Sequence, residues 1–328
     1  MGTLLSFAPL VIERAETGIE TLMVILVTGA TGLLGRAIAR SYLAEGQKVH
    51  LVGRDAEKLR RLYGDRAAIF AWGQVADEFP VQALEGVSTA FHLMGEPVGG
   101  RWTKAKKARI ITSRVTSAQM LATAIGGGPV RLISASSFGI YPGRRGEIYD
   151  EETRIEPRGQ AFIPSTLRAW ENAAMSACNG SAKVTIIRFG MVCSPEGYPK
   201  KLARLCQRIG GFIVGDGDQL VPIVDIDDAV AMMRWAADGN AGDGVINCVS
   251  PELPRFRDVA ETIADVVGKP IRLKVPDWLA RPILGGSADY FLLSYDIRSA
   301  RALAQGFRFA QDDPKTILRR ALKPYMAG

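Results

Sequence analysis

The stretch that decides the fold is residues 24–35, which read VILVTGATGLLG. A short apolar run rich in β-branched residues ends in Gly29, Gly32 and Gly35, and a helix is predicted over residues 36–44. Glycine lets backbone N–H groups approach an anion, and the following helix directs the positive end of its dipole at the same point. This order of strand, glycine turn and helix therefore predicts a site for the pyrophosphate of a dinucleotide. The alternative is that the turn serves packing alone.

The end of the second predicted strand discriminates between the two nicotinamide cofactors. Residues 49–52, VHLV, form this strand, and Gly53 and Arg54 follow it. An acidic side chain at this place accepts a hydrogen bond from the ribose 2′-hydroxyl of NAD, whereas an arginine accommodates the 2′-phosphate of NADP. Arg54 therefore predicts NADP, and Asp55 is expected to cap the next helix. Arg36 is either a second cation for this phosphate or a solvated arginine in the first helical turn.

Outward from the glycine turn, short apolar runs alternate with helical stretches as far as about residue 193. One predicted helix covers residues 104–124, with Ile111, Val115, Ala118 and Ala122 on one face. Such alternation predicts an α/β fold with a doubly wound parallel sheet, the Rossmann fold. Beyond residue 193 glycine-rich turns interrupt this pattern, which indicates a smaller lobe over the carboxyl ends of the strands, where ligands bind.

We expect three parts along the chain. Residues 1–22 form an N-terminal extension ahead of the fold, without the basic region and cleavage site of a signal peptide. Residues 23–193 form the NADP-binding Rossmann domain, to which residues 222–250 also contribute. Residues 194–328 form mainly a C-terminal substrate-binding lobe.

Composition limits the class of partner. The formal net charge of +7 indicates an anionic partner without specifying which. Four cysteines without CxxC spacing and only two histidines predict neither a zinc site nor a disulfide scaffold, and the thiols suit the cytoplasm. No stretch reaches the ~18 apolar residues of a membrane span, and no nucleic-acid recognition motif is present. We therefore expect a small-molecule substrate, no bound metal, no nucleic acid and no membrane as partners, and leave a homodimer open.

The glycine stretch and several later motifs together resemble the atypical extended short-chain dehydrogenases/reductases, and within them the epimerase-like subfamily. The later motifs are HLMGEP (92–97), RWT (101–103), SR (113–114), SASSFGIY (134–141), WE (170–171), RFGMV (188–192), GDGDQ (215–219) and GFRF (306–309). The resemblance implies a Rossmann core, a small C-terminal lobe and an NADP site. Its residues are Gly29, Thr31, Gly32, Leu33, Leu34, Gly35, Arg36, Arg54, Leu93, Met94, Gly95 and Gly190.

The resemblance also locates the expected chemistry and shows a departure from it. Members of the superfamily use a Tyr-x-x-x-Lys pair for proton transfer, but the matching positions hold Phe162 and Thr166. Ser137 matches the serine that orients the substrate oxygen. Tyr141 either replaces the missing tyrosine as proton donor or packs the turn. Glu96 is either an acid/base group with a raised pKa beside the cofactor or a structural carboxylate that binds loop N–H groups.

Three further features have two interpretations each. Asp225 stands where the subfamily often has histidine, or it caps a helix. Six cations between residues 101 and 114 form an anion-attracting rim or a solvated helix face. Trp102 stacks on a ring substrate or closes its loop.

Two functions remain open at this point. The first is an NADP(H)-dependent oxidoreductase or epimerase with an atypical active site, which acts on a small polar or ring-bearing substrate. The second is a redox-inactive NADP(H)-binding sensor, or a non-redox enzyme, that uses the same pocket.

Overall fold

The computed structural model describes residues 23–73, 77–155 and 161–326, and a seven-stranded parallel sheet lies at its centre. In chain order the strands are β1 Val24–Thr28, β2 Lys48–Gly53, β3 Ala68–Ala71, β4 Val87–His92, β5 Arg131–Ser137, β6 Ile148–Tyr149, β7 Lys183–Phe189, β8 Met191–Cys193, β9 Gly211–Val214, β10 Ile223–Asp225, β11 Gly244–Cys248, β12 Ile271–Val275 and β13 Asp296–Ile297. The α-helices are α1 Leu33–Ala44, α2 Ala56–Tyr63, α3 Lys104–Ile111, α4 Ser117–Ile125, α5 Phe162–Met175, α6 Tyr198–Ile209, α7 Ile226–Ala237, α8 Phe256–Val267, α9 Asp277–Leu284, α10 Asp289–Leu292, α11 Ala300–Ala304 and α12 Pro314–Leu322. The extension predicted for residues 1–22 lies outside the described residues.

The strands of the central sheet are ordered β11-β7-β5-β4-β1-β2-β3, and every neighbouring pair is parallel. The chain winds outward in both directions from β1, which confirms the predicted doubly wound Rossmann sheet. Four of the five residues of β1 are buried, because helices cover both faces of the sheet. The strand order reverses between β1 and β4, and their carboxyl ends meet at that point.

Helices cover the two faces of the sheet with separate apolar cores. On one face, α1 and α7 supply Ile38, Tyr42, Met232 and Met233, all buried. On the other face, α4 and α5 supply Leu121, Ile125, Leu167 and Trp170. Burying side chains of this size contributes roughly 1.5–3 kcal/mol each, so these faces hold the sheet that positions the functional loops.

The C-terminal third of the chain contributes both to the sheet and to a lobe. Helix α7 and strand β11 fall within residues 222–250, and β11 pairs with β7 as the edge strand. Helices α6, α8 and α12 enclose a third core beside the β9–β12 pair. This core includes Leu202, Val214, Phe256, Val259, Ile263 and Ile317. Within the described ranges, no helix is both long and apolar enough to cross a membrane.

The helix predicted over residues 104–124 differs from the structure in one respect. A π-helical turn, Thr112–Thr116, joins α3 to α4, and Ile111 is 41% exposed while Ile110 is fully buried. A π turn inserts one residue into the α-helical repeat. Position 110 rather than 111 therefore comes into register with the buried face of α4, and the prediction for Ile111 was wrong.

Candidate functional site

A cleft of about 370 Å³ opens at the carboxyl ends of β1, β2 and β4, where the strand order reverses. This is the edge of the sheet at which open α/β folds bind ligands. The cleft is lined by Gly29, Ala30, Thr31, Gly32, Gly53, Arg54, Gly73, Leu93, Met94, Gly95, Glu96, Ala108, Arg109, Thr112 and Ser113. Sequence positions as far apart as 29 and 113 therefore form one cavity.

The glycine turn forms one wall of the cleft and has no room for side chains. Gly29 has φ +73°, and a Cβ atom there would lie 2.6 Å from the carbonyl oxygen of Leu93. A Cβ atom on Gly35 would collide with the carbonyl oxygen of Gly29. The N–H of Gly32 donates to that same carbonyl at 2.9 Å and closes the turn. The three glycines thus let two loops and a helix approach at backbone distance.

Helix α1 begins directly after this turn without a side-chain cap. Gly32 is its N-cap residue, and no side chain in the described ranges accepts from the first N–H groups of the helix. Uncapped N–H groups at a helix N-terminus carry partial positive charge and bind anions. The turn and the helix start therefore fit the pyrophosphate of a dinucleotide, as the sequence predicts.

Arg54 lies at the other end of the cleft, where β2 ends. Its side chain is exposed and lines the cavity, and within the described part of the chain no carboxylate pairs with it. The neighbouring Asp55 caps α2, as predicted, by accepting from the N–H of Lys58 at 2.8 Å. Because Asp55 is engaged in this way, the end of β2 presents a cation and no free carboxylate to a ribose.

Some of the remaining predicted cofactor residues line the cleft and others do not. Arg36 forms an ion pair with Glu196, which lowers the pKa of that carboxyl, and Arg36 does not line the cleft. Gly190 lies away from the cleft, where a Cβ atom would meet the carbonyl oxygen of Pro222 at 2.7 Å. The structure brings together Gly29, Thr31, Gly32, Arg54, Leu93, Met94 and Gly95. It leaves outside the cavity Leu33, Leu34, Gly35, Arg36 and Gly190.

Glu96 lies in the cleft wall, but its carboxyl is held by cations. Lys106 Nζ donates to Glu96 Oε1 at 2.8 Å, and Arg109 Nε donates to the same oxygen at 3.4 Å. These interactions, the Lys106 hydrogen bond first, lower the pKa of Glu96. The raised pKa that the sequence interpretation required is therefore wrong in direction. The N–H of Glu96 donates to Ser113 Oγ at 2.9 Å, so the side chain of Glu96 holds this loop on α3 and its backbone holds the loop on the π-helical turn.

Tyr141 belongs to a buried hydrogen-bond network. Its hydroxyl lies 2.9 Å from both the carbonyl oxygen of Asp150 and Asn247 Oδ1, and Arg188 donates to it at 3.0 Å. Burial raises the pKa of this phenol. Arg188 also binds Glu171 through two bonds of 2.7 and 2.8 Å. The Tyr141 hydroxyl is surrounded by protein groups and does not line the cleft, in keeping with the packing interpretation.

The position of the expected Tyr-x-x-x-Lys pair is the first turn of α5. The ring of Phe162 packs against Trp102 with centroids 5.3 Å apart, and Lys107 Nζ lies 5.1 Å from the Phe162 centroid. The Thr166 hydroxyl donates to the carbonyl of Phe162 at 2.7 Å. The indole N–H of Trp102 donates to the Val98 carbonyl at 2.7 Å, which fits a role in closing its loop.

Ser137 ends strand β5, half-buried, and meets a residue that sequence reasoning missed. Tyr290, a tyrosine on α10 in the C-terminal lobe, packs closely against the two residues that follow Ser137: its ring lies edge-on to Phe138 with centroids 5.3 Å apart, and its hydroxyl lies against Gly139. Tyr290 belongs to none of the quoted motifs and follows Ser137 by 153 residues. No periodicity or spacing in the sequence brings these two hydroxyls together, because tertiary packing of the lobe on the sheet does so.

The basic run between residues 101 and 114 is largely committed to contacts within the protein. Lys106 and Arg109 bind Glu96, and Arg109 also lines the cleft. Arg114 donates to the carbonyl of Glu96 at 2.9 Å. Asp225, the remaining candidate, caps α7 by accepting from the N–H of Asp227 at 2.8 Å, as one of its two interpretations predicts.

Comparison with known proteins gives these features a family. The model of the NAD dependent epimerase/dehydratase family matches residues 25–248, more than half of the chain. The chain belongs to the NAD dependent epimerase/dehydratase family. Membership confirms the resemblance to epimerase-like short-chain dehydrogenases/reductases that the motifs indicate.

Relatives in this family match the chain over most of their length. It is 27% identical over 307 residues to the chloroplastic epimerase family protein SDR39U1 homolog of Arabidopsis thaliana, covering 92% of this chain and 87% of that protein. It is 25% identical over 294 residues to the epimerase family protein YfhF of Bacillus subtilis, covering 89% and 95%.

Solved structures of epimerase-type proteins share the fold. The human epimerase family protein SDR39U1, crystallised with NADPH, superposes with a TM-score of 0.78 at 24% identity, covering 91% of this chain and 99% of that one. MoeE5 in complex with UDP-glucose and NAD gives a TM-score of 0.73 at 23% identity, covering 91% and 97%. These structures thus share the Rossmann-like α/β fold seen here.

Proposed function

We propose that the chain binds NADP(H) in the cleft beside the glycine turn and acts as a reductase or epimerase on a small polar or ring-bearing substrate. The observation that carries the proposal is Arg54, which faces the cavity without a carboxylate partner among the described residues. The dinucleotide phosphates would lie against the Gly29 turn and the start of α1, where N–H groups have no side-chain cap. The human relative crystallised with NADPH supports this choice of cofactor.

The substrate side of the proposed site lies beyond the loop of Leu93, Met94 and Gly95. Strand β5 ends there with Ser137, whose half-buried hydroxyl suits a hydrogen bond to a substrate oxygen. A bound NADP(H) would supply or accept hydride at a substrate carbon. Phe162 and Thr166 provide neither an acidic hydroxyl nor a cation, so proton transfer needs another group.

Cofactor titration tests the proposal directly. We expect NADPH to quench the intrinsic tryptophan fluorescence with a Kd at least tenfold lower than that of NADH, since a charge-assisted contact with the 2′-phosphate contributes about 1.5–3 kcal/mol. Equal affinity for the two cofactors would contradict the choice of NADP. Absence of binding by either would contradict the cofactor site itself.

The redox-inactive sensor remains the second candidate, favoured by the residues at the start of α5. Phe162, Trp102 and Lys107 pack together where the superfamily has its catalytic pair. A panel of aldehydes, ketones and quinones, monitored by NADPH absorbance, tests for a reductase. Chromatography of polar, ring-bearing substrates incubated with the protein and NADP⁺ tests for an epimerase, which consumes no net NADPH. Turnover in either assay supports the enzyme, whereas tight NADPH binding without turnover in both supports the sensor.

A further inference from the structure

A tyrosine of the C-terminal lobe, Tyr290, packs against the turn that follows strand β5. Tyr290, on α10, packs its ring edge-on against Phe138 with centroids 5.3 Å apart. Its hydroxyl oxygen lies against Gly139, where a Cβ atom would come within 2.8 Å of it. Only a residue without a side chain admits the phenol at this depth. The Tyr290 hydroxyl therefore reaches the turn directly after β5, two residues from Ser137.

A cation that contacts the cleft wall, Arg114, acts electrostatically on Tyr290. Arg114 lies in the π-helical turn, its guanidinium 5.3 Å from the Trp170 ring and against Gly95, where a Cβ atom would be 3.0 Å from Nη2. Gly95 lines the cleft, so Arg114 touches the cavity wall without itself lining the cavity. Local π-helical turns recur at functional sites because they re-aim a side chain.

The charges around Tyr290 set its protonation state. Burial raises the pKa of Tyr290 to about 12, with Asp289 also raising it, while Arg114 and the Ser137 side chain lower it. The phenol therefore carries its proton at neutral pH, as a proton donor must. Arg114 and Ser137 oppose the effect of burial, and this favours proton transfer because an effective catalytic pKa lies near the operating pH.

We propose that Tyr290 is the proton-transferring catalytic residue of this site, with Ser137 holding the same substrate oxygen and Arg114 as a positioning residue. This inference rests on the proposed function and assigns the role that Phe162 cannot fill. In the reducing direction, hydride from the cofactor joins the carbonyl carbon and the C=O π electrons move to oxygen. That oxygen takes the Tyr290 proton, and the tyrosinate regains a proton from water. The balance is carbonyl, NADPH and one proton giving alcohol and NADP⁺.

Removal of single hydroxyls tests the assignment. Tyr290→Phe should leave the Kd for NADPH within about twofold and lower kcat by about 100-fold or more with the carbonyl most rapidly reduced by the wild type, since general acid catalysis contributes ~10²–10⁴-fold. Tyr295→Phe is the matched control, because Tyr295 is buried against the same Phe138 ring at 4.9 Å. It should retain kcat within about threefold. A kcat of Tyr290→Phe equal to that of the wild type would overturn the inference.

The positioning role of Arg114 has its own readout. Besides burial, the groups that shift the pKa of Tyr290 are Arg114, Ser137 and Asp289. Because Arg114 lowers this pKa, Arg114→Met should lower kcat more than it raises KM, and Arg114→Lys should restore kcat. A wild-type kcat in Arg114→Met, or a loss that Arg114→Lys does not restore, would assign Arg114 a purely structural role and contradict this part of the inference.

A crystal structure of the wild type with NADP⁺ decides the case without turnover, whatever the carbonyl panel shows. We expect Tyr290 Oη and Ser137 Oγ to lie within about 6 Å of nicotinamide C4, with space between for one oxygen at hydrogen-bonding distance from both. A nicotinamide ring shielded from Tyr290 would overturn the inference while leaving cofactor binding intact. Failure to bind NADP⁺ or NADPH would instead contradict the proposed function itself.

Discussion

Gly29 and Gly46 have nearly the same backbone conformation, φ +73° and +72°, but very different surroundings. A Cβ atom on Gly46 meets nothing within 4 Å, whereas one on Gly29 lies 2.6 Å from the Leu93 carbonyl oxygen. Gly46→Ala should therefore lower the free energy of unfolding by about 1–2 kcal/mol, the cost of a left-handed alanine. Gly29→Ala should cost roughly 3 kcal/mol or more and abolish NADPH binding. Urea denaturation and cofactor titration measure both; equal effects would show that the contact with Leu93 is unimportant.

Arg54 offers a second comparison between residues of one type. Arg54→Ala should weaken NADPH binding by about 10- to 100-fold, because a charge-assisted bond to the 2′-phosphate is lost, and should leave NADH affinity within about threefold. The control is Arg60→Ala, at an exposed position on α2 that does not line the cleft. It should bind both cofactors as the wild type does. A parallel loss of NADH affinity in Arg54→Ala would indicate a general loss of the site.

At the residue scale, roles that depend on sequence neighbours were predictable, whereas roles that depend on tertiary packing were not. The glycine turn, Arg54 and the cap at Asp55 follow from neighbours within a few positions. The state of Glu96 depends on Lys106 and Arg109, ten and thirteen residues away, and on how α3 packs over the loop. Tyr290 depends on the whole C-terminal lobe, so nothing near it in the sequence marks its place beside Ser137.

At the element scale, His92 joins β4 to two helices. Its Nδ1 accepts from Trp170 Nε1 on α5 at 3.2 Å, and its Nε2 lies 2.9 Å from the hydroxyl of Ser117 on α4. Because Trp170 Nε1 can only donate, the imidazole is neutral with its proton on Nε2. Complete burial, with a smaller effect of Arg114, lowers the pKa of His92 from 6.5 to about 3.

This neutral histidine predicts a pH-dependent stability. The unfolded chain takes up a proton on His92 below about pH 6.5, whereas the folded protein does not until about pH 3, so stability falls as the pH drops between these values. Between pH 7.5 and 5.0 the wild type should lose about 2 kcal/mol through this group. In urea titrations at the two pH values, the loss in free energy of unfolding should be smaller by about 2 kcal/mol for His92→Gln than for the wild type. Identical pH dependence in both proteins would contradict a neutral, buried His92.

The helices and strands were predictable where the element buries one face and the spacing of its apolar residues stays constant along its length. The alternation of strands and helices up to residue 193 gave the Rossmann sheet, since each apolar run packs under helices. The π turn at Thr112–Thr116 was not predictable from the sequence. The spacing of apolar residues predicts a helix but does not reveal where one extra residue enters its hydrogen-bonded repeat. Ile110 therefore took the buried place expected for Ile111.

At the scale of the whole molecule, sheet and lobe are interleaved along the chain. The edge strand β11 and helix α7 come from residues 222–250, which follow α6 and β9 of the lobe in the chain. Long-range parallel pairing of this kind leaves a weak sequence signal, because β11 is only one more short apolar run. It also means that neither part is a continuous segment that could unfold without disturbing the other.

Ligand binding should therefore stabilise the whole chain as one unit. At a free NADPH concentration of 100 times Kd, binding to the native state contributes about 2.7 kcal/mol, which corresponds to roughly 5 °C in Tm for a chain of this size. We expect far-UV circular dichroism, which reports the helices of sheet and lobe together, and the fluorescence of buried tryptophans such as Trp72 in the core of the sheet to show one transition at the same raised temperature. The matched measurement on Arg54→Ala at the same NADPH concentration should show a smaller shift, since its Kd is higher. Two separate transitions, only one of which shifts with NADPH, would show that the lobe unfolds independently of the sheet. The interleaved order of α6, α7 and β11 would then not couple the unfolding of the lobe to that of the sheet.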